Sequence, residues 1–132
     1  MSAARTQQVP SIAQLTQAQH STLHNCLLDH LLCASRLKGA SCLHLLLDDL
    51  LIPTSGGTEM SGLTIDCDVD PDNIAPHLLG VPGITFEFMD EQVTLPTVHA
   101  IRYLCHWCET QVEEDRQNIL AKCQALKNHY QA

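Results

Sequence analysis

The chain reads as an α+β domain: two long amphipathic helices and a short helix packed on a small antiparallel β-sheet. Three patterns predict this. Val98, Ile101, Cys105, Cys108 and Val112, then Ile119, Cys123, Leu126 and Tyr130, follow the three- and four-residue spacing of a helical stripe, and no other such pattern in the sequence is as long. Leu43, Leu46, Leu47, Leu50 and Leu51 make a shorter helical face at i, i+3, i+4, i+7 and i+8. Between these, residues 63–69 and 84–88 alternate apolar and polar side chains with the period of two that a half-buried strand requires.

Taken in order, residues 1–10 are polar and are expected to form a flexible tail, leaving 11–132 as a single domain. Ser11, followed three residues later by Gln14, makes a capping box, and the helix it opens is expected to run to Lys38 and stop at Gly39. Arg36 and Lys38 then sit in the last turn, where the helix dipole favours cations. The half from Leu23 to Leu37 is the more apolar and belongs in the core, whereas Gln14 to His20 projects or meets a partner. Ser41 is the expected cap of the leucine helix, and Pro53 ends it. The Thr, Ser, Gly, Glu and Met residues of 54–62 read as a mobile loop.

In the first expected strand Leu63, Ile65, Cys67 and Val69 face inward, while Asp66, Asp68 and Asp70 face outward. A short helical or irregular piece spans 72–80. The second strand turns Ile84, Phe86 and Phe88 inward and Glu87 outward, and the two strands are expected to pair antiparallel. Two strands alone are marginal, so helices must cover them or another chain must extend their exposed edge. From Pro96 onward the pattern is one helix or two nearly continuous ones, broken where Glu113, Glu114 and Asp115 interrupt the stripe.

Composition limits the function. A formal charge of −8 argues against nucleic acid and anionic membrane as direct partners, because both are bound through Lys and Arg; a protein partner with a basic surface fits better. Seven cysteines, an odd number placed mostly at apolar helical positions, favour a reducing, intracellular setting, cytoplasmic or nuclear, over a disulfide framework. The N-terminus lacks the apolar core of a secretory signal, and no apolar run is long enough to span a bilayer.

Cys105-His106-Trp107-Cys108 has the spacing of a redox pair or of half a zinc site. Its place on the apolar stripe, two turns into a helix, favours core packing, with zinc or thiol chemistry at Cys105 and Cys108 as the alternative. His20, His24 and His30 lie toward the polar side of the first helix and read as surface or interface histidines. Asp66, Asp68, Asp70 and Asp72 alternate as in a calcium loop, but from Asp66 the position requiring Gly is Pro71 and the closing Glu position is His77, so the register fails. A nucleophile elbow, a phosphate loop and a dinucleotide fingerprint are absent from the sequence.

Val93-Thr94-Leu95-Pro96-Thr97-Val98, followed by a helix carrying Trp107-Cys108, resembles the short strand and helix of the F-box-binding adaptors of cullin ubiquitin ligases, a BTB/POZ-fold family. The resemblance covers about sixteen residues, with the helix two residues shorter before Trp-Cys, a rotation of roughly 200°. It implies an adaptor role and transfers no functional residue.

The expectation from sequence is therefore a non-enzymatic interaction module, an acidic adaptor or inhibitor without a cofactor, forming a homodimer or joining a complex to bury its surplus stripe. Its expected contact residues are Asp66, Asp68, Asp70, Glu87, Glu113, Glu114 and Asp115, and reversing Asp66, Asp68 and Asp70 to Lys is expected to leave the fold intact while weakening a partner.

Overall fold

The computed structural model describes residues 14–33, 42–58 and 60–132; the expected tail, the caps at Ser11 and Ser41 and the stop at Gly39 lie outside them. The fold is α+β, with four α-helices and a four-stranded antiparallel sheet among the described residues. Helix α1 is Gln17–Leu32 and α2 is Cys42–Leu51. Strands β1 (Gly56–Gly57), β2 (Ser61–Ile65), β3 (Ile84–Phe88) and β4 (Glu91–Leu95) follow in spatial order, and α3 (Thr97–Gln111) and α4 (Arg116–Tyr130) complete the chain.

Helix α1 starts later than Ser11 and ends earlier than Lys38. Its capping box is Thr16 with Gln19: the Thr16 hydroxyl accepts the Gln19 N–H at 3.1 Å while the Gln19 side chain accepts the Thr16 N–H at 2.8 Å. At the other end Cys33 is already extended, at φ −77° and ψ 120°. The buried residues of α1 are Thr22, Leu23, Cys26, Leu27 and His30, so its second half does enter the core. It lies across β2, β3 and β4 and also packs on α2.

The expected pairing of the two central strands holds, with Ile65 opposite Ile84 and Leu63 opposite Phe86. Two further strands flank them. β4 returns from β3 through Met89 and Asp90, with Met89 at φ 55°, and sets Val93 beside Phe86 and Leu95 beside Ile84. On the other side, the expected mobile loop is ordered as β1, with Gly56 opposite Leu63 and Gly57 opposite Gly62. A Cβ at Gly57 would stand 2.6 Å from the Ser61 carbonyl oxygen, so only glycine lets the two backbones approach this closely.

The first expected strand stops at Ile65 instead of continuing to Val69. Cys67 and Val69 are exposed, and Asp68 is buried. Residues 66–83 leave the sheet through two 3-10 turns, Pro71–Asn73 and Pro76–Leu78, and are closed at the base by a reciprocal clasp. The Asp66 N–H donates to the Gly83 carbonyl at 3.1 Å, and the Gly83 N–H donates to the Asp66 carboxylate at 2.9 Å. Leu78 is buried outside the main core cluster, and His77 pairs with Glu87 at 3.6 Å, which places this excursion over the outer face of the sheet.

The long stripe after Pro96 is two helices folded against each other, broken at Asp115, which sits left-handed at φ 55°. Ile101, Leu104, Cys105 and Cys108 of α3 and Ile119, Cys123 and Leu126 of α4 are all buried within this one chain. The surplus stripe therefore needs no second copy to cover it.

Gly83 supplies a sharp test. It has φ +95°, and a Cβ there would stand 2.2 Å from the Leu95 carbonyl oxygen in β4. Gly83→Ala should cost about 3 kcal/mol, from left-handed strain plus forced displacement of a strand. Gly80→Ala, at φ +82° with open space around it, should cost only about 1 kcal/mol. Denaturant midpoints with equal or reversed losses would refute the account of this turn.

Candidate functional site

The acidic residues expected as partner contacts are dispersed, and most of their carboxylates bind within the chain. Asp68, 7% exposed, accepts the Ser55 N–H at 2.6 Å, the Asp70 N–H at 2.8 Å and the Asn73 side-chain amide at 3.3 Å. Burial alone would raise its pKa, but the N–H groups of Asp70 and Ser55 outweigh burial and hold the carboxyl below its ordinary value. Asp70 caps the first 3-10 turn through the Asp72 N–H at 3.0 Å. Asp66 holds Gly83, and Glu87 faces His77.

Glu113 and Glu114 are exposed in the turn between α3 and α4, and Asp115 there pairs with His44 of α2 at 2.8 Å. Burial, and to a lesser extent the nearby Cys67 and Asp66, pushes the Tyr130 hydroxyl up to about 12, so Asp66 lies toward the end of α4 remote from Asp115. A fifteen-residue helix separates the two acidic groups by roughly 20 Å. They are two separate groups.

Cys105 and Cys108 meet Cys123 of α4, and all three are buried. Sequence could not pair them with Cys123, because that contact depends on α4 folding back. The hydrogen bond to Cys123 and burial push Cys105 and Cys108 far up, while Cys105 and then Cys108 draw Cys123 downward as the shared acceptor. Among the described residues no group of three or more His, Cys, Asp or Glu side chains is arranged to hold a metal ion.

The histidines of α1 diverge. His30 is buried, contrary to the surface expectation, because the start of β2 closes over it. Its Nδ1 lies 2.8 Å from the Cys26 carbonyl oxygen. A carbonyl only accepts, so Nδ1 carries the proton, and the unprotonated Nε2 is buried without a partner among the described residues. Burial lowers the His30 pKa and keeps the ring neutral. Beside it, Asp29 accepts the Thr58 hydroxyl at 2.6 Å and the Ser61 hydroxyl at 2.7 Å. The hydroxyls of Thr58, then Ser61, hold the Asp29 carboxyl below its ordinary value. Asp29, His30 and Ser61 thus meet, but not as a nucleophile relay: the serine hydroxyl is given to Asp29 and the imidazole N–H to a main-chain carbonyl.

Two flanks of α1 remain open and differ in chemistry. On one, His20 and His24 face Arg102, Tyr103, His106 and Trp107 across a cavity of about 550 Å³, with the Trp107 indole N–H donating to His24 Nδ1 at 3.0 Å. On the other, Ala18, Ser21, Asn25, Asp29 and Cys33 form a stripe at helical spacing. A groove of about 480 Å³ runs beside its first part, walled by Phe88, Met89, Asp90 and Glu91. A second of about 400 Å³ lies beside its last part, walled by Gly57, Thr58, Met60 and Cys42. Met89 and Met60 are joined by a main-chain hydrogen bond of 2.7 Å and are 67% and 48% exposed. Leu32, on the last turn of α1, is 74% exposed. Only the three-dimensional arrangement reveals this flank, since its residues come from α1 and two strand ends.

Comparison with known protein families, curated proteins and solved structures finds no match to this chain. Among the described residues no helix is long and apolar enough to cross a membrane.

Asp68 is expected to matter for the fold. Asp68→Ala should cost about 2–3 kcal/mol, because three donors lose a charged acceptor, whereas Asp70→Ala should cost about 1 kcal/mol. The folded pKa of Asp68 lies below its unfolded value of about 3.9, so its contribution is complete above that pH and fades as pH falls through the folded value. Acid titration of unfolding should therefore be shallower in Asp68→Asn than in the wild type. Identical profiles would remove the role given to this carboxylate.

Proposed function

We propose that the chain is a non-enzymatic protein-binding module of the adaptor or inhibitor kind, and that its contact surface is the α1 flank bearing Met60 and Met89. The observation that carries this reading is the pair of adjacent exposed methionines at the end of the sheet, next to open grooves along α1. Methionine at a surface is an adaptable apolar contact, able to repack around different side chains. Phe88 and Leu32 extend the apolar area, whereas among the described residues the opposite flank of α1 exposes no comparably large aliphatic group.

Charge defines the partner. Asp29, Asp90 and Glu91 line the two grooves, and among the described residues no Lys or Arg does. The hydroxyls of Thr58 and Ser61 fix Asp29 as an anion at neutral pH. An amphipathic segment with large apolar anchors flanked by Lys or Arg matches this surface, and the chain's net charge of −8 would speed its approach. Carboxylates committed inside the fold, Asp68 above all, are poor contacts for such a segment.

The test is selection of display peptides on the full chain, with counter-screening on a Met60→Ser/Met89→Asn double variant. Asn suits the left-handed backbone at position 89. Selected peptides should combine a large apolar residue with Lys or Arg, bind the double variant about tenfold or more weakly, and lose affinity as salt rises. Equal binding to both chains would reject the surface. A native mass spectrum showing a wild-type dimer and a monomeric double variant would instead assign the flank to a second copy.

A further inference from the structure

We infer that Cys33 and Cys42 are a redox modification site, oxidised reversibly to an intramolecular disulfide by a low-molecular-weight disulfide of the glutathione class. The two sulfurs lie 2.6 Å apart, although the residues are nine positions apart in sequence. That separation is shorter than a resting contact between unbonded sulfurs and needs only a small closure to reach the ~2.0 Å of a disulfide. The backbones are already clasped, since the Cys42 N–H donates to the Cys33 carbonyl at 2.7 Å. The end of α1 and the start of α2 are thus held face to face without the covalent bond.

Access separates this pair from four of the other five thiols. Cys26, Cys105, Cys108 and Cys123 are buried, and Cys67 is exposed. Cys33 and Cys42 are half-buried and both border the groove of about 400 Å³ that also reaches Met60 and Asp29. Cys42 further lines a cavity of about 210 Å³ together with His30, whose buried, unprotonated Nε2 has no partner among the described residues. The proton that Cys42 releases in the exchange passes to the expelled small thiolate.

The exchange balances in two steps. The Cys33 thiolate attacks one sulfur of the oxidant, breaking its S–S bond, expelling one thiolate and leaving a mixed disulfide on Cys33. Cys42 gives up its proton and attacks the Cys33 sulfur, forming the Cys33–Cys42 bond and expelling the second thiolate. Overall, two protein thiols and one small disulfide become one protein disulfide and two small thiols. Burial, then the neighbouring Cys33, pushes the Cys42 thiol up to about 11, so it is a weak nucleophile toward dissolved reagents. Proximity compensates only for the Cys33 sulfur, which makes Cys42 the resolving thiol. This inference stands whether or not the methionine flank binds a partner.

The experiment places the reduced full chain in a buffer of oxidised and reduced glutathione, quenches with acid, alkylates with N-ethylmaleimide and measures mass. The wild type should lose two hydrogens and be alkylated at five of its seven cysteines. Trypsin cuts at Arg36 and Lys38, so the cross-link should join peptides 6–36 and 39–102, and fragmentation should find N-ethylmaleimide on Cys26 and Cys67, leaving Cys33 and Cys42 as the bridge. Cys42→Ser should trap glutathione on Cys33, whereas Cys67→Ser should leave the product unchanged. The oxidised chain should melt roughly 5–10 °C higher, and the preference for this pair should vanish in denaturant. A principal disulfide using Cys67 or a second chain, glutathione persisting on wild-type Cys33, or no native preference would each overturn the inference.

Discussion

Burial of one side of α1 across β2, β3 and β4 is the constraint to which the other elements answer. Leu23, Cys26 and Leu27 are fully buried there, each aliphatic side chain contributing about 1.5–3 kcal/mol. Seating them also carries Asp29 and His30 to the sheet edge, where polar atoms leaving water must find partners. Thr58 and Ser61 meet that requirement for Asp29, and in doing so fix the entry to β2 and the tight β1–β2 turn. Ordering in a stretch whose composition says loop is therefore a consequence of where α1 lies. The α3–α4 pair, although it bears the longest apolar pattern, is a second layer: α3 reaches the sheet chiefly at β4, and α4 packs on α2 and α3.

What the sequence made legible follows from whether side chains or backbone groups decide the structure. Ile84, Phe86 and the leucines of α2 are placed by their own burial, so their periods report the elements directly. Gly56 and Gly57 have no side chain to form a pattern, and their strand exists because Leu63 and Gly62 offer a ladder. In β4 the exposed Glu91 and Gln92 hide an alternation carried only by Val93 and Leu95. Past Ile65 the apolar and polar alternation continues in the letters but not in the fold, since backbone donors from Ser55 and Asp70 pull Asp68 inward and leave Val69 outside. A hydropathy pattern cannot register that inversion, because its cause is unsatisfied N–H groups in two loops.

The same distinction changes the meaning of the acidic composition. With 15 acidic residues against 7 basic ones, counting charges points to a basic partner. Yet Asp66, Asp68, Asp70 and Asp115 each accept hydrogen bonds from within the chain. In a fold with much irregular backbone and few cations, a carboxylate is the strongest short-range acceptor for stray donors. Net charge thus overstates the acidic surface open to others, and position along α1 becomes the better guide than number.

Cysteine spacing misleads for a related reason. Cys105 and Cys108 share the sequence signature of reactive thiols, but i and i+3 on a buried helical face aim both at the core, where they meet Cys123 and water is excluded. Cys33 and Cys42 show no motif, because what joins them is the return of α2 against α1. Two helix ends clasped by a backbone hydrogen bond bring their sulfurs together whatever lies between them in sequence. Reactivity in this chain is therefore written in the packing of its helices: the thiols that look paired in the letters are sealed, and the pair that packing creates is the one solvent can reach.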